Sequence, residues 1–395
     1  MIKKRNKFPK TGMVVLLSLT CYQVSFGMLT RPFGPITVAS GSDDKTIKIW
    51  QYDDNKQFTL SQTLDKNREG HTKAVRSLAF NQMGFLASSS DDKTIKIWKP
   101  DTNSKFRCIQ TLNESCNGHI NWAKSVIFTK KGLLVSCSTK TIKIWEKRGG
   151  KFSCIQTLDK NSNGHTEGIW SIASSQQGLL VSGAWDETIK IWKPDTSGKF
   201  RCIQTLDKSC NGHTNKVLTV AFSQEGLLAS GSDDEKIKIW KPDTNSKFRC
   251  IQTLDPLCNG HMSDVSTIAF NQKGLFASAC LDGIIKIWKP ESNNRFTCIQ
   301  TLDQKSGGHT RPVIKLAFNK NGLLASVSWD KTIKIWESDI EGNFRCIQTL
   351  DESCGGHTRV LCCLAYQDYA APIFFRKKLQ ENKKYQDIKI TNQEE

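Results

Sequence analysis

A serine, a histidine and an aspartate recur together along this chain at fixed distances, as in His71, Ser88 and Asp92. These are the residue types of a nucleophile, a general base and the carboxylate that orients it. A hydrolase needs one such set, and here the set is repeated. All seven histidines fall in one periodic string, Gly-His, at His71, His119, His165, His213, His261, His309 and His357. None is left over for a unique centre, and no acid or nucleophile confined to one unit replaces it. The chain is therefore expected not to be an enzyme and to carry no cofactor.

The cysteines, fifteen in all, offer a second chemistry. Cys108, Cys116 and His119 form a C-x7-C-x2-H string that recurs at Cys202, Cys250 and Cys346, and zinc accepts such ligands. The units at Cys154 and Cys298 carry Ser162 and Ser306 in place of the second cysteine, so a metal is not expected. A disulfide needs Cα atoms within about 7 Å, whereas eight residues of strand span roughly 26 Å. Closing one within the string would require a sharp turn after the strand. Reduced, packed thiols are the expectation, which sits uneasily with an oxidising compartment.

The elements that must position these residues follow from a third string. TIKIW or a close variant ends at Trp50, Trp98, Trp145, Trp192, Trp240, Trp288 and Trp336, at intervals of 47 or 48 residues, so the chain is a repeat array. The unit from Gly212 to Asp255 reads as four strands. The run GHTNKVLTVAF has apolar residues at Val217, Val220 and Phe222, SQEG is a turn, and LLASGS is a short buried strand. Asp233 and Asp234 turn the chain, and KIKIW alternates, with Ile237 and Ile239 on one face and Lys236, Lys238 and Trp240 on the other. A Pro/Asn/Ser loop leads to the last strand, FRCIQTL. Short strands without helical periodicity give an all-β array whose units stack to bury both faces.

Gly-His, a strand pair, an Asp turn and a Trp-ended strand resemble the WD-repeat family over residues 36–366. The residue after the tryptophan is Gln51, Lys99, Glu146, Lys193, Lys241, Lys289 or Glu337 rather than the Asp of the family's name. The resemblance implies a seven-bladed WD-repeat β-propeller. Its N-terminal strands lack a Gly-His and its C-terminal segment lacks a TIKIW, so the two ends complete one blade, closing the ring by strand pairing. His357 is then expected near Ser40, Asp44 and Trp50. An eighth blade, from the QDIKI echo at Gln386 to Ile390, is the alternative.

In that family, matching residues form a structural hydrogen-bond chain from Asp to His to Ser to the Trp indole. Carried over, the sets are His71, Ser88, Asp92, Trp98; His165, Ser182, Asp186, Trp192; His213, Ser230, Asp234, Trp240; His261, Ser278, Asp282, Trp288; and His309, Ser326, Asp330, Trp336. Breaking one member should cost about 1–3 kcal/mol. The unit after His119 is one residue shorter and has no such Asp, with Thr139 or Lys140 in the turn; it is expected to be the least rigid, or altered for binding.

Residues that break the repeat are the better candidates for function. Trp122, Trp170, Trp185 and Trp329 are extra to the TIKIW tryptophans. Trp185 and Trp329 precede the turn Asp, where other units have Asp43, Asp91, Asp233 or Leu281. The resemblance places that position and the start of the first strand on the top face. There the extra rings, with Arg76, Lys124, Arg311 and Arg359 nearby, resemble a hot spot for a protein or peptide partner; the alternative is rings that cap the core.

Composition bounds the remaining classes. Hydrophobic residues at 38% and charged residues at 24% describe a soluble chain with no apolar run long enough to span a membrane. The net charge of +18 places about +11 on the repeats, spread through the Lys of each TIKIW string. A solvated rim is expected, with an anion-binding surface for nucleic acid or acidic lipid as the alternative function. Residues 1–27 combine a basic head with the apolar run MVVLLSLTCY and end in small residues, as an export signal does. The alternatives are a cytoplasmic chain and a buried strand, since LSLTCYQ resembles LCCLAYQ at Leu361 to Gln367. A linker at 28–35, a polar tail at 367–395 and a monomeric propeller complete the expectation.

Overall fold

The structure, a computed structural model, describes residues 36–367. The expected signal, the linker at 28–35 and the QDIKI echo lie outside these residues, as does the tail apart from Gln367, which ends the last strand. Among the described residues no helix is long and apolar enough to cross a membrane.

The strands form seven antiparallel sheets of four, each a blade, numbered 1 to 7 here from the N-terminus. Blade 5 is typical, with strands Val217–Phe222, Leu228–Ser232, Ile237–Pro242 and Phe248–Leu254 from the inner to the outer edge. Blade 1 is assembled from both ends of the chain. Strand Leu361–Gln367 pairs with Thr37–Ser42, placing Ser40 opposite Leu364 and Val38 opposite Tyr366. The ring is closed by strand pairing, so no sheet edge at the junction is left unpaired.

Both faces of each sheet are covered: Ile237, Ile239 and Trp240 are buried, and so is Lys238. The tryptophan of one blade packs on the isoleucines of the blade before it: Trp50 meets Ile333 and Ile335, and Trp240 meets Ile189 and Ile191. All seven TIKIW tryptophans have no exposed surface. Burying seven rings of this size supplies much of the hydrophobic stabilisation of the ring.

A second belt runs round the outer edge. The Gln of each outer strand donates from Nε2 to the carbonyl of the first Phe of the next outer strand and accepts that residue's N–H. Gln204 and Phe248 do so at 2.9 and 2.7 Å, and Gln348 and Phe58 close the circle at 2.9 and 2.8 Å. The repeated Gln of FRCIQTL is thus a clamp between blades.

The Gly of Gly-His has a steric cause. Gly70 N–H donates to the Asp65 carbonyl at 2.7 Å, and a Cβ on Gly70 would sit 2.3 Å from that oxygen. The same approach recurs at Gly212 and Asp207, so only glycine lets the chain pass from the outer strand to the next histidine.

Candidate functional site

In five blades the repeated Ser, His and Asp meet at one end of the sheet, beneath the face that carries the Gly-His loops and the turns before TIKIW. In blade 2, Trp98 Nε1 donates to Ser88 Oγ at 2.8 Å and the Ser88 hydroxyl lies 2.7 Å from His71 Nε2. His71 Nδ1 lies 2.9 Å from Asp92, which also accepts from Thr72 N–H at 3.0 Å and the Thr94 hydroxyl at 2.6 Å. An ionised carboxylate accepts only, so the network assigns the proton to Nδ1 and leaves Nε2 to accept from serine.

Burial drives the His71 pKa down while Asp92 pulls it up, and the net shift is downward. Asp92 is opposed by burial, but the bond from His71 and those from Thr94 and Thr72 hold it well below the usual carboxylate range. Each serine has its hydroxyl committed to a buried imidazole and accepts from an indole. The groups of a triad are present, but Ser88 and His71 are buried, and the serine oxygen is engaged by both the indole and the imidazole.

The sets at His165, His309 and His357 repeat this geometry, with Thr188, Thr332 and Thr46 on the carboxylate. His357 Nε2 lies 2.9 Å from Ser40 Oγ and Nδ1 2.8 Å from Asp44, joining residues more than 300 positions apart. In blade 5, His213, Ser230, Asp234 and Trp240 meet in the same way, but Lys236 stands where the threonine would be.

Blade 6 departs from the expected set. Ser278 and Trp288 keep their bonds, with His261 Nε2 2.6 Å from Ser278 Oγ, but Asp282 does not touch His261. The Cys280 thiol stands between them, 2.8 Å from His261 Nδ1 and 2.6 Å from Asp282 Oδ1. Its larger sulfur fills the space the carboxylate takes elsewhere, and Asp282 is turned out to solvent.

In blade 3 the shortened turn leaves His119 Nδ1 with Thr141 Oγ1 at 3.4 Å, while Nε2 keeps Ser136 at 2.8 Å. Burial pushes both His119 and His261 down to about 3. Thr72, whose N–H reaches the carboxylate, is replaced in these two blades by exposed Ile120 and Met262.

Above the relays, the residues that break the repeat come together in an arc. Arg76 bonds Asp91 through Nε at 2.8 Å and reaches Asp43 of blade 1 at 3.0 Å. Although burial opposes it, the Asp91 bond raises the Arg76 pKa. Lys124 of blade 3 lies 3.8 Å from Asp91 and between two indoles, its ammonium 4.9 Å from the Trp122 ring and 5.1 Å from Trp170 of blade 4.

Trp170 stacks on Trp185 at 5.4 Å between centroids, and Lys216 of blade 5 covers Trp185 at 5.0 Å while facing Asp233 at 3.9 Å. One chain of contacts thus crosses four blade boundaries. Trp122 is 50% exposed, and Trp170 and Trp185 are exposed as well, whereas the TIKIW tryptophans are fully buried.

Trp329 does not join the arc. Its N–H bonds the Pro312 carbonyl as Trp185 bonds Gly168, which fixes it on the same face of blade 7, exposed and away from the other rings. Leu281 holds the equivalent place in blade 6, bonded to Asp264. Arg311 and Arg359 are exposed on this face, and their carbonyls accept from Ser328 at 3.0 Å and Ser42 at 3.3 Å. Sequence reasoning passed over Lys216, Ile120 and Met262. A signal existed for two of them, since Ile120 and Met262 replace the threonine that follows every other Gly-His.

A closed ring of seven four-stranded blades, each pinned by a buried relay from tryptophan to histidine, is a β-propeller. A family model described as "WD domain, G-beta repeat" matches residues 28–51, 59–99, 106–146, 152–193, 200–241, 248–289 and 296–337. The chain belongs to the WD-repeat family. A comparison with curated proteins found no match. Propellers of this family are in general scaffolds for protein interaction rather than enzymes.

Proposed function

We propose that this propeller is a non-enzymatic scaffold that holds a protein or peptide partner on the face bearing the Trp122–Trp170–Trp185 arc. The observation that supports it is the contiguity of three exposed indoles with two lysines across blades 3 to 5. Exposed aromatic rings with cations are the composition of interface hot spots, and single exposed rings elsewhere carry no such meaning. Arg76, Lys124 and Lys216 are already paired with Asp43, Asp91, Asp233 and the indole faces, which argues against the alternative of an anion-collecting surface.

The test is capture with three forms of the chain: unchanged, Trp170→Ala with Trp185→Ala, and Leu257→Ala in a connector away from the arc. A partner retained by the first and third forms and lost by the second, at equal Tm, is the expected result. A partner retained by all three places the interface elsewhere.

A further inference from the structure

The connectors between blades each contain a three-residue 3-10 turn, and the turn lies against the outer strand of the blade that follows. Between blades 4 and 5, Lys238 Nζ bonds Asn211 Oδ1, one residue past Cys210, and Thr253 Oγ1, both at 3.3 Å. Cys250 Sγ is 3.9 Å from that same hydroxyl. The contact recurs at other blades: a Cβ on Gly307 would lie 3.8 Å from Cys346 Cβ, and one on Gly355 would lie 3.9 Å from Leu60 Cβ. Cys210 and Cys250 pack on one core cluster, and Cys116 and Cys154 on another.

The end of the connector turn therefore lies against the third residue of the outer strand where these contacts are seen, Cys250 being close enough to Cys210 to act on its thiol, and in three blades the last turn residue and that strand residue are both cysteine. These are Cys116 with Cys154, Cys210 with Cys250, and Cys258 with Cys298. The remaining blades oppose Arg68, Ser162 or Ser306 to a strand cysteine, or Cys354 to Leu60. All six residues of the three pairs are thiols, and none is fully buried.

The three blades that own both cysteines are those that lack either the relay aspartate or the threonine that bonds it elsewhere. Blade 3 has no aspartate, blade 5 has Lys236 and blade 6 has Ile284 in place of the threonine, and blade 6 also has Cys280 interposed. Blades 1, 2, 4 and 7 have the aspartate and threonine and no cysteine pair.

We propose that these are three oxidisable thiol pairs, each closing a disulfide that ties a connector to the outer strand of blades 3, 5 and 6. The oxidant is a low-molecular-weight disulfide. One cysteine thiolate attacks it, forming a mixed disulfide and releasing one small thiolate. The facing cysteine then attacks the protein sulfur of the mixed disulfide and expels the second. Two protein thiols become one disulfide, and the two protons and two electrons they give up leave as two small thiols. Each closure encloses a loop of about 40 residues containing the three inner strands of its blade, which restrains the unfolded chain where the relay holds least. The pairs close in an oxidising compartment and stay open in a reducing one.

The experiment treats the full chain with glutathione disulfide, alkylates the remaining thiols and maps linked peptides by mass spectrometry. The expected result is three links, Cys116 to Cys154, Cys210 to Cys250 and Cys258 to Cys298, with a rise in Tm that reductant reverses. Cys210→Ser, which copies Ser162 of blade 4, should remove one link and leave the other two. Links within one strand and turn, such as Cys202 to Cys210, or glutathione retained on the six residues without linkage, would overturn the proposal.

Discussion

Blades 2 and 6 have inner-to-outer strands of the same lengths and the same bonds from tryptophan to serine to histidine, yet they end differently. In blade 2 the relay terminates on a carboxylate that also holds the backbone of the Gly-His loop. In blade 6 a thiol takes the carboxylate's place and the loop is left with an exposed methionine. The buried half of the relay thus sets blade geometry, while the outer half, where the loop meets solvent, can be altered without loss of the strand frame. Blade 3 makes the same point by deletion, and the aromatic arc of the top face begins there.

The widest separation between the two blades should come from removing the same residue in each. Asp92→Ala strips four hydrogen bonds from a buried carboxylate and is expected to cost about 2–3 kcal/mol, whereas Asp282→Ala in blade 6 should cost less than about 1 kcal/mol. Denaturant unfolding of the two variants checks this, and equal losses would mean that Asp282 still anchors the relay through the Cys280 thiol.

Acid should pull the blades apart next. Histidine ordinarily titrates near 6.5, and His119 and His261 are pushed down to about 3, so the folded state resists protonation. Their stabilisation is complete above pH 6.5 and is lost as pH falls towards 3, by about 2 kcal/mol per histidine between pH 7 and pH 5. Asp44 and Asp234, held at about 2 by their histidines and backbone donors against burial, contribute above the usual carboxylate range and lose it only as pH falls below about 4. Amide exchange at pH 5 should therefore lose protection in blades 3 and 6 first. Uniform loss round the ring would break the comparison.

A smaller effect sharpens it. Cys280→Ser replaces the sulfur with the hydroxyl found at Ser90 and Ser232, which in those blades bonds a loop carbonyl and leaves the carboxylate on the histidine. Asp282 is expected to swing onto His261, raising the His261 pKa in an NMR titration and stabilising the chain by up to about 1 kcal/mol. An unchanged titration would mean that Ile284, not Cys280, keeps the carboxylate out.

These contrasts explain what could be read before the structure. The seven blades and the closure of the ring were legible because they depend on spacing: His to Ser is 17 positions and His to Asp 21, over and over. The fate of Asp282 was not, because it turns on the size of one side chain at a position where serine and cysteine are both small and buried. The arc was legible only in part. Trp122, Trp170 and Trp185 announce themselves by interrupting the repeat, but their meeting with Lys124 and Lys216 depends on how adjacent blades are rotated, and Trp329 interrupts the repeat just as clearly without joining them.

The smallest expected change in stability bears most directly on function. In five blades a threonine follows Gly-His, and its backbone is held by the aspartate; in blades 3 and 6 that tether is gone and the residue is Ile120 or Met262, both largely exposed. An exposed isoleucine stabilises nothing in the isolated ring, so Ile120→Thr together with Met262→Thr should change stability by less than about 0.5 kcal/mol. If loss of the tether and gain of an apolar tip serve the partner surface proposed above, the same double variant should lose affinity for a partner that the Trp170→Ala, Trp185→Ala form also fails to hold. Ile120 stands two residues from Trp122 at the end of the arc, and Met262 stands in blade 6, beyond Lys216. Testing each alone therefore measures how far the interface extends: a loss confined to Ile120→Thr would end it at the arc, and a loss with Met262→Thr would carry it on towards Leu281 and Trp329.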